Sequence, residues 1–444
     1  MLTVVVVVLA LVGGGLAFLS FTQGPRLSNV QADPAEAITL SGSRVILTAN
    51  QPLAAIDPAQ VTVVPEVPFT VDASGRDIGV RFTVPLDDDT EYTVTVAGAT
   101  GVGGGPASDL STTFTTPAAE VYLLVRSEGD DTIFRANLAG EAVPVFTHER
   151  INDFREAGDA LVVAVEESES TRVLVVGKDG AERHELALPG DGFVSTVQVS
   201  DRGGLVGFVY SDRDLTEVSG RASVLVTQPI SGGGEPQIVE VAGEEASVAQ
   251  WHFVPDTSSV LFIDFSGTLF VADQGGESTP LGLAQSIQGL ERGTYTAVVE
   301  RSDGSLFRLD LADGTETDFP ASDPDYGIPV AIAAYPGGTV QHIIAWDEYG
   351  MPLGQAIVRV DDAGAATPIL EVGEADAILQ ACPSPSGQYL AVSVAPDLVR
   401  NPFDDLLFPL PERMETHLFD LRTGEALVPL SGVNISWCTF AAGL

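Results

Sequence analysis

From residue 118 onward, short runs of alternating apolar and polar residues are separated by Gly-containing turns, and the pattern repeats along the chain. Period-two alternation with β-branched and aromatic content is what half-buried strands require. Apolar runs that open a unit begin at Ile151, Val194, Val248, Ile287, Ile328, Ile378 and Val433, at intervals of 43, 54, 39, 41, 50 and 55 residues. Four-stranded propeller blades repeat at roughly 40 to 50 residues, so the longer intervals carry inserted loops. A second strand is expected in each unit, at 161–165, 205–210, 260–265, 295–299, 340–346 and 389–394.

Tight turns ending in or containing Gly140, Gly180, Gly275, Gly314, Gly364 and Gly424 recur between the third and fourth strands, where glycine supplies positive φ cheaply. The first unit, 121–146, has only three strands, and the last run, 433–440, is one strand too many. Placing the surplus strand in the first unit closes a ring and hides its edges. The expectation is a seven-bladed β-propeller spanning 118–444, with six and eight blades as the neighbouring counts.

Ahead of it, 33–117 reads as a small β-sandwich with alternating strands at 43–49, 61–64, 69–71, 78–83, 90–97 and 112–116. Residues 23–32 read as a linker. Leu2 to Phe21 is an uncharged run of 20 residues. At about 1.5 Å per residue it matches a hydrocarbon core of roughly 30 Å. It is longer than a signal-peptide core and has no basic residue before it, so 1–22 is expected to be an uncleaved transmembrane anchor. The rival is secretion after cleavage at Val30-Gln31-Ala32. The fold class expected from the whole chain is all-β, with one N-terminal transmembrane helix.

Two stretches carry a family resemblance. Cys382-Pro383-Ser384-Pro385-Ser386-Gly387-Gln388-Tyr389-Leu390-Ala391 resembles the S-P-D-G-x-x-(I/L)-A turn of TolB-like and YVTN-type bacterial propellers, which are WD-repeat-like. Asp420-Leu421-Arg422-Thr423-Gly424-Glu425 resembles their outer D-x-x-T-G-x turn. Likewise Leu86-Asp87-Asp88-Asp89-Thr90-Glu91-Tyr92-Thr93-Val94-Thr95-Val96, with the closing Thr113-Phe114-Thr115-Thr116, resembles the bacterial Ig-like domain of surface-layer and cell-wall proteins. The resemblance implies a fold and a location outside the cytoplasm. It implies no activity, because propellers include scaffolds, hydrolases, lyases and dehydrogenases.

Charge narrows the partners: 62 acidic against 21 basic residues give a net charge of −41, and Lys178 is the lone lysine. Such a surface repels phosphate backbones and anionic lipid, which argues against nucleic acid and leaves the apolar run as the membrane attachment. Basic peptides, cations and neutral glycans remain, with solubility as the plain explanation of the acidity.

Catalytic patterns break at nameable positions. His148-Glu149 and His184-Glu185 start like a zinc-protease signature, but Asn152 and Leu188 stand where the second His is needed. No G-x-S-x-G elbow occurs, and Arg172 replaces the first glycine of a phosphate loop before Gly177-Lys178. Asp323-Pro324-Asp325 and Glu128-Gly129-Asp130-Asp131 are too short to complete a calcium shell and read as acidic turns. No catalytic residue, metal or cofactor is expected. Trp251 and His252 fall in the inner strand of the fourth blade, with Trp251 read as core. Cys382 and Cys438 fall in strands that should be ring neighbours, either as a disulfide across the closure or as two buried thiols.

The insertions at 212–221 and 396–413 should emerge on one propeller face. The second holds Phe403, Leu406, Leu407, Phe408 and Leu410 among acidic residues and prolines, either as a partner-binding patch or folded back over its own blade. The function expected is a membrane-anchored, extracytoplasmic binding or scaffolding module for an envelope protein or neutral glycan. The alternative is an envelope hydrolase or lyase with its site at the channel mouth.

Overall fold

The computed structural model describes residues 24–444 except 168–169, 201–203, 217–218, 292, 440–441 and 443–444. The chain divides into two compact units, one ending at Ala118 and the other starting at Ala119. The apolar run Leu2 to Phe21, and with it the expected anchor, lies outside the described residues. Among the described residues no helix is long and apolar enough to cross a membrane.

The first unit is two antiparallel sheets. One orders its strands Leu27–Gln31, Arg44–Ala49, Asp77–Phe82, Phe69–Ser74, and the other Val61–Val64, Glu91–Ala99, Ser108–Thr115. Alternation places Val45, Leu47, Ile78, Val80, Phe82, Val94 and Val96 in one shared core. The linker reading of 23–32 is corrected: Leu27–Gln31 is an edge strand paired with Arg44–Ala49.

Among the described residues the second unit holds seven successive antiparallel sheets of three or four strands, each in chain order, and a two-stranded ribbon of Glu240–Val241 and Glu244–Glu245 between the third and the fourth. The first holds Glu120–Val125, Asp131–Asn137 and Ala142–His148. The next six begin with Ile151–Ala157, Gly192–Val199, Val248–Phe253, Ser286–Leu290, Pro329–Tyr335 and Ala377–Pro383. These six opening strands pack side by side in order, and Ile151–Ala157 also meets Glu120–Val125. The result is an all-β, propeller-like array. Apolar faces of adjacent sheets fuse into cores that hold Phe154, Phe208, Tyr210 and Phe262 away from water. Each such side chain contributes about 1.5–3 kcal/mol by burial.

Every one of the six opening strands is interrupted by a β-bulge against its partner, for example between Ile151 and Asp153, Val248 and Gln250, and Ile378 and Gln380. A bulge bends the strand and redirects the following side chains, which here face the middle of the array. The turn glycines Gly140, Gly180, Gly275, Gly314, Gly364 and Gly424 all sit at positive φ. At Gly180 a Cβ would also stand 2.2 Å from the Val145 carbonyl oxygen, so no other residue fits there.

Two expectations at element boundaries change. Ile328 precedes its strand and is exposed. The expected strand 433–440 is reduced, among its described residues, to a single bridge between Val433 and Leu124. Leu124 and Val433 exchange both backbone hydrogen bonds at 2.8 Å, and the Ser436 N–H donates to the Tyr122 carbonyl at 2.9 Å. The C-terminal segment therefore lies along the open side of the three-stranded first sheet.

Candidate functional site

The insertion 396–413 is folded against its own unit and pinned by charged side chains. Asn401 organises its base, donating to the carbonyls of Pro396 and Arg413 and accepting from the Arg413 N–H. Arg126 Nη1 donates to Asp404 Oδ2 at 2.8 Å and to the Phe408 carbonyl at 3.0 Å, while its Nη2 donates to the Asn152 carbonyl at 2.8 Å. Arg150 Nη2 donates to the Asp405 carbonyl, and the Leu407 N–H donates to Glu166 Oε2. The Arg126–Asp404 pair is nearly excluded from solvent, so the loop is held in one shape.

That shape separates the five candidate side chains. Phe403, Leu407 and Phe408 remain exposed, Leu406 is half-buried, and Leu410 is 4% exposed within a core containing Ala377, Leu379 and Val433. Leu410 is thus a structural anchor of the loop, a correction to its place in the patch. The shorter insertion 212–221 is closed by Asp212, whose carboxylate accepts the Arg221 N–H at 2.7 Å.

In the middle of the array lies a cavity of about 200 Å³, lined by the later halves of the opening strands, including Arg155, Gln198, His252, Leu290, Ala333 and Gln380. Its polar side chains are largely committed to the fold. Gln198 Nε2 donates to the Trp251 carbonyl at 2.7 Å and its Oε1 accepts from the Phe253 N–H. Outside the cavity lining, Gln250 makes the same double contact with the backbone of Ile287, and Gln355 Oε1 accepts from the Ile378 N–H. These amides fasten the third sheet to the fourth, the fourth to the fifth and the sixth to the seventh. The signal available in the sequence was a Gln in two successive opening strands, at 198 and 250.

Burial pushes His252 down to about 4, and it also lowers His342, whose Nε2 meets Gln355 Oε1 at 2.9 Å. Both imidazoles are neutral near pH 7. Trp251 packs in the core and donates through Nε1 to Thr196 Oγ1. Beside the cavity, Arg155 pairs with Asp153 at 2.7 Å, and Asp153 Oδ1 also takes the Phe154 N–H and Asn434 Nδ2. Burial pushes Asp153 up and Arg155 down, and each opposes the shift of the other.

Cys382 and Cys438 form a disulfide with a Cα–Cα distance of 5.1 Å. It ties the C-terminal segment to the opening strand of the seventh sheet. Among the described residues no group of three or more His, Cys, Asp or Glu could hold a metal ion. Asp131 serves the backbone instead, accepting the N–H groups of Ser127 and Ile151, and Asp325 accepts that of Gly327.

No protein-family model and no curated protein matches the chain. Solved structures do. An uncharacterised protein of Listeria monocytogenes is 12% identical, with a TM-score of 0.45 over 70% of this chain and 91% of that one. A quinonprotein alcohol dehydrogenase-like protein of Bacteroides thetaiotaomicron is 11% identical, with a TM-score of 0.43 over 95% and 99%. The C-terminal WD40 domain of Sif2 is 12% identical, with a TM-score of 0.43 over 71% and 88%.

Proposed function

We propose that this chain is a membrane-anchored extracytoplasmic protein whose second unit, a seven-bladed β-propeller closed by its C-terminal segment, binds an envelope protein or a neutral glycan. An Ig-like sandwich precedes it, and Leu2 to Phe21 supplies the anchor. Support for the propeller comes from seven consecutive sheets, their packed opening strands and the pairing of Val433 with Leu124. The observation that carries the binding role is the loop 396–413. It exposes Phe403, Leu407 and Phe408 while Arg126, Arg150 and Glu166 fix its backbone. An apolar display that is already ordered loses little entropy on docking.

The competing reading, an envelope hydrolase or lyase at the channel mouth, draws on Arg155, Glu156, His252 and His342 around the cavity. It is the weaker one, since a histidine pushed down to about 4 is a poor general base at neutral pH and Glu156 is already paired with Lys178.

The test is crosslinking on intact cells, comparing the native chain with Phe403→Ser/Leu407→Ser/Phe408→Ser. Point changes are preferable to removing the loop because Asn401 and Leu410 belong to the fold. A specific partner lost in the folded triple variant is the expected result. A partner captured equally by both proteins would refute the loop as the binding surface.

A further inference from the structure

We infer that the sixth sheet carries a docking surface for a cationic, amphipathic polypeptide segment, one with apolar anchors flanked by Lys or Arg. This rests on the reading of the chain as a binding protein and adds both a second place and a partner chemistry.

The surface is built on the hairpin between Gly338–Trp346 and Pro352–Asp361. Its turn is held by the Asp347 carboxylate, by Gly350 and by a backbone bond from the Asp347 N–H to the Met351 carbonyl. Asp347 Oδ1 accepts the N–H groups of Tyr349 and Met351, both at 2.8 Å, and Gly350 supplies φ +76°. The side chains of Tyr349 and Met351 contribute nothing to that turn, yet they are 82% and 62% exposed. Trp346, Leu353 and Ile328 are exposed beside them.

Register places these residues at one end of the sheet. Pro329 is opposite Ile343, Trp346 opposite Pro352, and Gly354 opposite Gly373. The end continues into the seventh sheet, because Gln355 bonds the Ile378 N–H and the Leu398 N–H reaches the Ala375 carbonyl. A rigid turn presenting Trp, Tyr and Met to water is the kind of exposed cluster that marks an interaction site.

Charge selects the partner. Between Arg308 and Arg400 the chain has fourteen Asp and Glu and one basic residue, Arg359. Arg359 donates to the carbonyls of Leu421 and Arg422, at the sheet end opposite the hairpin. Among the described residues, Glu348 in the turn itself and Glu374 next to Gly373 make no ion pair. A second copy of this chain, an anionic bilayer or an acidic peptide would all bring like charge to that end, whereas a cationic amphipathic segment satisfies both its carboxylates and its apolar cluster.

The experiment uses the full chain and a fluorescein-labelled synthetic peptide of leucine and lysine. Its leucine–glutamate counterpart, phosphatidylcholine vesicles and a neutral oligosaccharide serve as comparisons. Anisotropy reports binding, and acrylamide quenching of Trp346, identified by the Trp346→Phe variant, reports the place. The expected result is tight binding of the Leu–Lys peptide with protection of Trp346. Affinity should fall about tenfold or more in Tyr349→Ser/Met351→Ser and in Glu348→Lys/Glu374→Lys, neither of which touches the core.

Peptide binding unchanged by both double variants would reveal a diffuse polyanion effect and overturn the inference. So would protection of Trp346 by the oligosaccharide, the vesicles or the acidic peptide in place of the cationic one. Binding lost only in the Phe403/Leu407/Phe408 serine variant would move the surface to the neighbouring loop, overturning this inference while leaving the binding role intact.

Discussion

At the scale of single residues, two buried ionisable groups, one in each unit, contribute pH dependences of opposite sign. Asp88 is buried beside Asp87, and burial first, then that charge, pushes its carboxyl from 3.8 up to about 7. The folded first unit therefore holds a proton that the unfolded chain releases above about 4. Its stability is full below that pH and is lost as pH rises toward 7, by up to about 4 kcal/mol. His252 is the reverse case: the unfolded chain takes up a proton at about 6.5 and the folded one resists until about 4. The second unit should lose up to about 3 kcal/mol as pH falls across that window. Calorimetry from pH 4 to 8 should show one transition weakening with rising pH and another strengthening. Asp88→Asn should flatten the first dependence and His252→Leu the second. A pH slope that survives both substitutions would assign the effect to other groups.

At the scale of elements, the amides between sheets are the vulnerable joints. Gln198→Leu keeps apolar volume but strips the buried Trp251 carbonyl and Phe253 N–H of a shared partner. The expected loss is about 2–4 kcal/mol in urea unfolding, because an unmet buried polar group carries its full desolvation cost. Strand existence was largely legible in the sequence: alternation and β-branched content place all six opening strands within a residue or two of their observed starts. Two readings failed, each for its own physical reason. Leu27-Ser28-Asn29-Val30-Gln31 has too few apolar residues to announce an edge strand that needs only one partner. Ile328 looks like core but lies ahead of the bulge that turns its strand inward. The clustering of Phe403, Leu406, Leu407, Phe408 and Leu410 does not tell which are displayed, and the burial of Leu410 depends on Ala377 and Val433, which no local pattern links to it. Trp346 reads as a strand terminus, and only the turn geometry at Asp347 shows that it is displayed.

At the scale of the whole molecule, the disulfide joins residues 56 apart and holds the C-terminal segment. Both cysteines are buried, at 7% and 5% exposure. Reductant alone should leave the folded protein intact, while Cys382→Ala/Cys438→Ala should destabilise the second unit by about 4 kcal/mol on the chain-entropy account. Rapid reduction of the native protein, followed by mass spectrometry after alkylation, would show that the bridge is accessible after all.

The contact of Tyr122 with Ser436 spans 314 positions of sequence. During synthesis the strand Glu120–Val125 must therefore wait, with one side unpaired, until nearly all of the second unit has left the ribosome. Such long-range pairing is slow and leaves an edge open to other chains in the interval. Folding of the second unit is for that reason expected to finish late, with the first sheet among the earliest made and the last completed.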